Sequence, residues 1–283
     1  MSNAIVRAIA GSFVLLGAAW AAGASAQTEA SWEVVKTPDQ CVLSRKVEAP
    51  EPGLLMFSSR AGADSYSLVI AVKKLPKRTP DGAQVKIGLD GTGKIFNGFG
   101  ISGRIDGSAP EAIRINGIDG ANFEAMAKAS ALRLNYDGKT LGPFPLPDAA
   151  DAVGALKECL AEHLVAMGAD PAQFKPGGAP PEPVKSRDDF LPASIWGSLT
   201  NAGLRLGIES FYTLSIDENG MIAGCKMIGT PQPETIEKLV CSALLGKMLF
   251  RPAHDPVGKA LRGMGTFSMA AIVRRDYTSN MPR

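Results

Sequence analysis

Five prolines and two glycines crowd into the thirteen residues from Pro171 to Pro183. Proline fixes φ and lacks an N–H donor, so such a run cannot lie inside an α-helix or a central strand. It reads as an extended spacer. It divides the 283-residue chain near residue 175 into halves that are each long enough to bury a core. The expected fold is α+β in two domains. A β-rich sheet or sandwich with one C-terminal helix covers residues 27–170, a linker 171–190, a small domain 191–275 and a tail 276–283.

Residues 1–26 read as an export signal. Met1–Arg7 carries one positive charge, Ala8–Gly23 is apolar except for Ser12, and Ala24-Ser25-Ala26 places small residues where a signal peptidase cuts, before Gln27. Cleavage there predicts a periplasmic protein. If the segment is retained, Ala8–Ala26 approaches the roughly 20 residues that span a bilayer and acts as an anchor. In an oxidising compartment Cys41, Cys159, Cys225 and Cys241 are expected to form disulfides. Four cysteines allow three pairings and the sequence does not choose among them, but if the linker holds, each half pairs its own two.

The charge balance is nearly even, with 30 basic against 28 acidic residues. A net charge of +2 is too small for a protein that binds nucleic acid by neutralising many phosphates. Two histidines, His163 and His254, cannot build a multi-histidine metal site. His254 sits beside Asp255 in a turn before Pro256 and reads as a solvated loop residue, while His163 on a helix reads as packed or capping. No GxSxG, HExxH or CxxC occurs, and an even cysteine count leaves no thiol for nucleophilic work. The chain reads as a binding or assembly protein with no catalytic residue, cofactor or metal. A secreted hydrolase-like enzyme is the rival reading.

In the first half, the runs at residues 32–35, 41–43, 53–57, 66–72 and 83–89 are short, apolar and β-branched, and Pro, Gly and Asp separate them. Residues 131–136 alternate into an Asp137-Gly138 hairpin. Then Val153, Leu156, Cys159, Leu160, Leu164 and Met167 recur at helical spacing, with Asp148 as the expected N-cap and Gly168 as the stop. Cys159 falls on or beside that apolar face and can meet Cys41 on a sheet beneath. Two glycine motifs lack their context. Gly88 to Lys94 has phosphate-loop spacing but is followed by Ile95, and no helix follows the GxGxxG at Gly98, Gly100 and Gly103. Both read as turns and bulges between strands, so no nucleotide is expected.

The second half carries a more specific pattern. A strand at Phe211–Ile216, a turn Asp217-Glu218-Asn219-Gly220, a returning strand to Ile228, a helix between Pro233 and Gly246, Phe250-Arg251-Pro252-Ala253, Gly258 and a long alternating strand over 261–273 follow in order. This combination resembles the C-terminal domain of TonB family proteins over residues 191–275. A cysteine-bearing subset of that family places one Cys in the second strand and one in the helix, where Cys225 and Cys241 stand. The resemblance implies a periplasmic module that engages an envelope protein, possible outer-membrane partners included, through an exposed strand edge, in a role accessory to transmembrane transport or envelope assembly. The expected contact residues are Phe267, Met269, Ala270 and Ala271, with Gly263 and Gly265 leaving room for another backbone. A true energy transducer would need a retained anchor and a longer spacer.

Overall fold

The computed structural model describes residues 31–48, 52–63, 65–73, 75, 82–104, 111–205, 209–229 and 231–270. The expected signal segment, the tail and Ala271 lie outside the described residues.

Alternation of apolar and polar residues builds the first body. Strands β1 (Glu33–Lys36), β2 (Gln40–Val47), β3 (Gly53–Arg60), β4 (Ser65–Val72), β5 (Ala83–Asp90), β6 (Lys94–Arg104), β7 (Glu111–Asp119), β8 (Ala131–Tyr136) and β9 (Lys139–Pro145) form one sheet in the order β1-β2-β3-β4-β7-β6-β5-β8-β9. Every neighbouring pair is antiparallel. Of the two forms left open by the sequence, the sheet is the one adopted. Leu43, Leu55, Phe57, Ile70, Ile87, Ile113 and Leu134 all turn to one face and are fully buried, as period-2 patterning requires.

Helix α2 (Ala149–Ala166) packs Val153, Leu156, Leu160 and Leu164 into that same core. Asp148 precedes it in a left-handed conformation, with φ 51°, and its side chain makes no cap bond. The short α1 (Gly120–Ala125) does have a side-chain cap, since Asp119 accepts from the Asn122 N–H at 2.7 Å.

The segment read as turns between Gly88 and Gly103 is mostly strand. Gly91 and Gly93, both at positive φ, make the tight turn from β5 to β6, and the GxGxxG lies within β6. Its glycines answer to packing: a Cβ on Gly98 would stand 2.5 Å from Ile115 Cγ2, and one on Gly100 would stand 2.6 Å from Val85 Cγ2.

The proline-rich run is docked to its neighbours. Asp170 caps a 3-10 turn at Pro171–Phe174, where proline's fixed φ suits the first position. Beyond it, β10 (Glu182–Pro183) pairs with β13 (Phe250–Arg251). A second small pair joins β14 (Ala253–His254) to β15 (Ala260–Leu261).

The remaining elements are α3 (Ile195–Asn201), β11 (Glu209–Ile216), β12 (Ile222–Met227), α4 (Glu234–Leu244) and β16 (Gly263–Ala270). They enclose a second hydrophobic cluster with Tyr212, Leu214, Ile236, Val240, Phe250 and Phe267. The sheet order is β12-β11-β16. Helix α3 had no counterpart in the sequence reading. No helix among the described residues is long and apolar enough to cross a membrane.

Both disulfides form within one cluster. Cys41 on β2 bonds Cys159 on α2, and Cys225 on β12 bonds Cys241 on α4. Neither crosses the proline-rich run, and the described residues hold no free cysteine.

Candidate functional site

Strand β16 ends its sheet, pairing on one side with β11 from Gly263↔Ile216 to Ala270↔Glu209. Phe267 and Met269 turn into the second core, 3% and 6% exposed, and Phe267 stacks on Phe190 at 5.9 Å. Their side chains are spent on packing, so anything meeting β16 sideways meets its backbone. Ala270 continues the pairing, and its backbone is what the structure places at this edge.

The outward backbone groups of β16 belong to its even-numbered residues, because Thr266 N–H donates away from β11 to Gly62 C=O at 3.0 Å. Part of this edge is already occupied by the chain itself. Arg262 C=O accepts from Asp170 N–H at 3.2 Å, and Thr266 Oγ1 donates to Ala61 C=O at 2.5 Å. The room beside Gly263 and Gly265 is likewise filled from within. A Cβ on Gly263 would lie 2.1 Å from Pro181 Cγ, and one on Gly62 would lie 2.8 Å from Gly265 Cα. The occupation stops, among the described residues, at Thr266. Among the described residues no partner meets the Ser268 backbone on that side, and the Ser268 side chain is exposed.

A polar cleft adjoins this free stretch. Phe211 and Glu209, the cross-strand neighbours of Ser268 and Ala270, form one wall of a cavity of about 560 Å³. Gln40, Ser58, Ser67, Arg114 and Asn116 line the rest, from the outer face of β2, β3, β4 and β7. Arg60 closes the corner. It is bonded to Asp39, and its guanidinium lies 4.0 Å from the centre of the Phe211 ring, a cation–π contact. Burial pulls its pKa down while the nearby Glu209 carboxylate acts in the opposite sense. The group stays charged, as arginine does in proteins.

A second, larger cavity of about 830 Å³ lies where α2, the proline-rich run and the β13–β14 region meet. Leu160, Leu164, Phe174, Pro181, Pro252 and Met264 give it an apolar lining. Its charged rim is satisfied internally: Lys157 pairs with Glu124 and Arg251 with Glu182, each at 2.7 Å. Arg187 donates to Gly62 C=O at 3.1 Å.

Of the two histidines, one lines the larger cavity and the other lines neither. His254 lines the larger cavity with its Nδ1 3.0 Å from Asp255 C=O. His163 is 8% exposed, and burial, followed by the charge of Lys36, holds its pKa below the ordinary value.

The chain matches no family model, no curated protein and no solved structure. The polar cleft was invisible in the sequence because its walls come from residues 40 to 211. The only local hint was the polar alternation of Ser58, Arg60, Ser65 and Ser67.

Proposed function

We propose that the protein is a periplasmic envelope protein that binds a protein partner by strand addition at the free stretch of β16. The reading is supported chiefly by one observation: the chain occupies its own edge as far as Thr266 and leaves Ser268, beside a polar cleft, with outward backbone groups. An added strand would take its main-chain bonds from Ser268 and Ala270, and its alternate side chains would reach toward Arg114, Asn116 and Ser58. The two disulfides favour an oxidising compartment. The TonB-like order of residues 191–275 favours an accessory role in transmembrane transport or envelope assembly. On this reading residues 27–170 and 191–275 are two domains, joined by a linker that is folded onto both.

The test uses the whole mature chain as bait in envelope extract, with Ser268→Pro and Ala270→Pro as variants. Proline removes an outward donor and leaves the bonds to β11 in place, so both variants are expected to fold and to lose the captured partner. Capture that survives both prolines in folded protein rules out the edge. Intact-mass measurement settles the leader: loss of residues 1–26 fits the periplasmic reading, and their retention in a membrane fraction fits an anchored transducer.

A further inference from the structure

Cys159 and His163 stand one helical turn apart on α2, and both are buried, 7% and 8% exposed. Residues four apart share a helix face, and Cys41, fully buried on β2, meets them from the sheet. The two sulfurs and a ring nitrogen of His163 all lie within 4.8 Å of one another. The His163 ring hydrogen-bonds the Thr37 backbone, while Nε2 is buried with no hydrogen-bond partner among the described residues. An unpaired buried polar atom costs about 1–3 kcal/mol.

Two sulfurs and an imidazole are a zinc donor set, and an imidazole whose other nitrogen is tied to backbone is the usual ligand arrangement. Zinc bonds of about 2.3 Å to sulfur and 2.0 Å to nitrogen would set the ligand atoms roughly 3.5–3.8 Å apart. The two sulfurs, bonded to each other here, therefore have to separate on reduction, while all three ligand atoms already lie within 4.8 Å of one another. We propose that the dithiol form of this chain binds one Zn²⁺ between Cys41, Cys159 and His163, and that formation of the Cys41–Cys159 bond expels it. A tetrahedral set would need a fourth ligand besides these three. The exchange balances with a small disulfide as oxidant. One zinc-bound thiolate attacks it and releases a thiolate, and the second protein thiolate displaces the other from the mixed disulfide. The chain then carries its S–S bond, two small thiolates have taken up the electron pairs, and Zn²⁺ is free. This inference is independent of the strand edge.

The experiment uses the full mature chain carrying Cys225→Ser and Cys241→Ser, so that one thiol pair remains. It is reduced anaerobically with a phosphine and titrated with Co²⁺ as the probe. The expected result is a sulfur-to-cobalt charge-transfer band saturating at one equivalent, abolished by Zn²⁺ and by oxidised glutathione, and absent before reduction. His163→Ala and His163→Gln should each weaken binding at least tenfold. A folded reduced chain without the band overturns the proposal, and so does undiminished affinity in both histidine variants. Loss of fold on reduction, followed by circular dichroism, also overturns it, because the site needs β2 and α2 in place.

Discussion

The two halves of the molecule secure a helix to a sheet in the same way and at very different range. In the first body an 18-residue helix is bonded to β2 across 118 residues of sequence; in the second an 11-residue helix is bonded to β12 across 16. The large body draws its core from nine strands and a helix, whereas the small three-stranded sheet leans both outer edges on other segments, β16 on the Arg60–Ala63 turn and the start of β12 on Gly246 and Lys247. A crosslink constrains the unfolded chain more when it closes a longer loop. The larger body therefore relies more on its disulfide, and the smaller one relies more on being docked.

Breaking that contrast gives a ranked set of outcomes. Replacing Cys41 and Cys159 with Ser is expected to cost about 5 kcal/mol by loop entropy, read as a lower midpoint in denaturant for the transition of the β-rich body. The same change at Cys225 and Cys241 should cost about 3 kcal/mol and lower the transition of the smaller sheet alone. Equal losses would mean that strain or residual structure, and not loop length, sets the contribution.

Gly62→Val attacks the docking. Its φ of 78° is left-handed and its Cβ would meet Gly265 backbone, so a cost of about 2 kcal/mol is expected, with faster amide exchange at Thr266. Unchanged Thr266 protection would show that the small sheet holds its edge without the turn.

The smallest effect sharpens the comparison from within the second core. Tyr212 is fully buried, and its hydroxyl has no hydrogen-bond partner among the described residues. Burial, reinforced by Glu237, pushes its pKa from 10 up to about 12. The folded state thus holds this proton more tightly than the unfolded chain. The stabilisation from the neutral phenol is complete below pH 10 and is lost as pH rises through about 12. Tyr212→Phe should raise stability by about 1 kcal/mol at neutral pH and flatten the alkaline fall of the second transition.

Much of the fold was legible because its signals are local. Short apolar, β-branched runs set off by Pro, Gly and Asp marked most of the strands of the body, helical spacing marked α2, and the Asn219-Gly220 turn marked the β11–β12 hairpin. The failures have a physical pattern. Strand β6 hid behind Gly98, Gly100 and Gly103, two of which are glycine because Ile115 and Val85 occupy the space a side chain would need. Asp148 stands at the expected helix start but caps nothing. The spacer became a docked segment because Asp170, Ala179 and Glu182 find backbone partners far along the chain. The same holds for the cleft: neither Phe211 nor Arg60 signals the other until the two bodies meet.

The spacing of the cysteines also sets a timetable. A polypeptide emerges from the ribosome, or through a membrane pore, with its N-terminus leading. Cys41 therefore waits alone while the sheet residues follow, and the first thiol it can meet is Cys159, its native partner. Cys225 appears only after that pair is complete, and Cys241 follows 16 residues later. The three possible pairings are thus narrowed by arrival order before the folded state has selected among them, and a chain presented all at once, as in refolding from denaturant, loses that sorting.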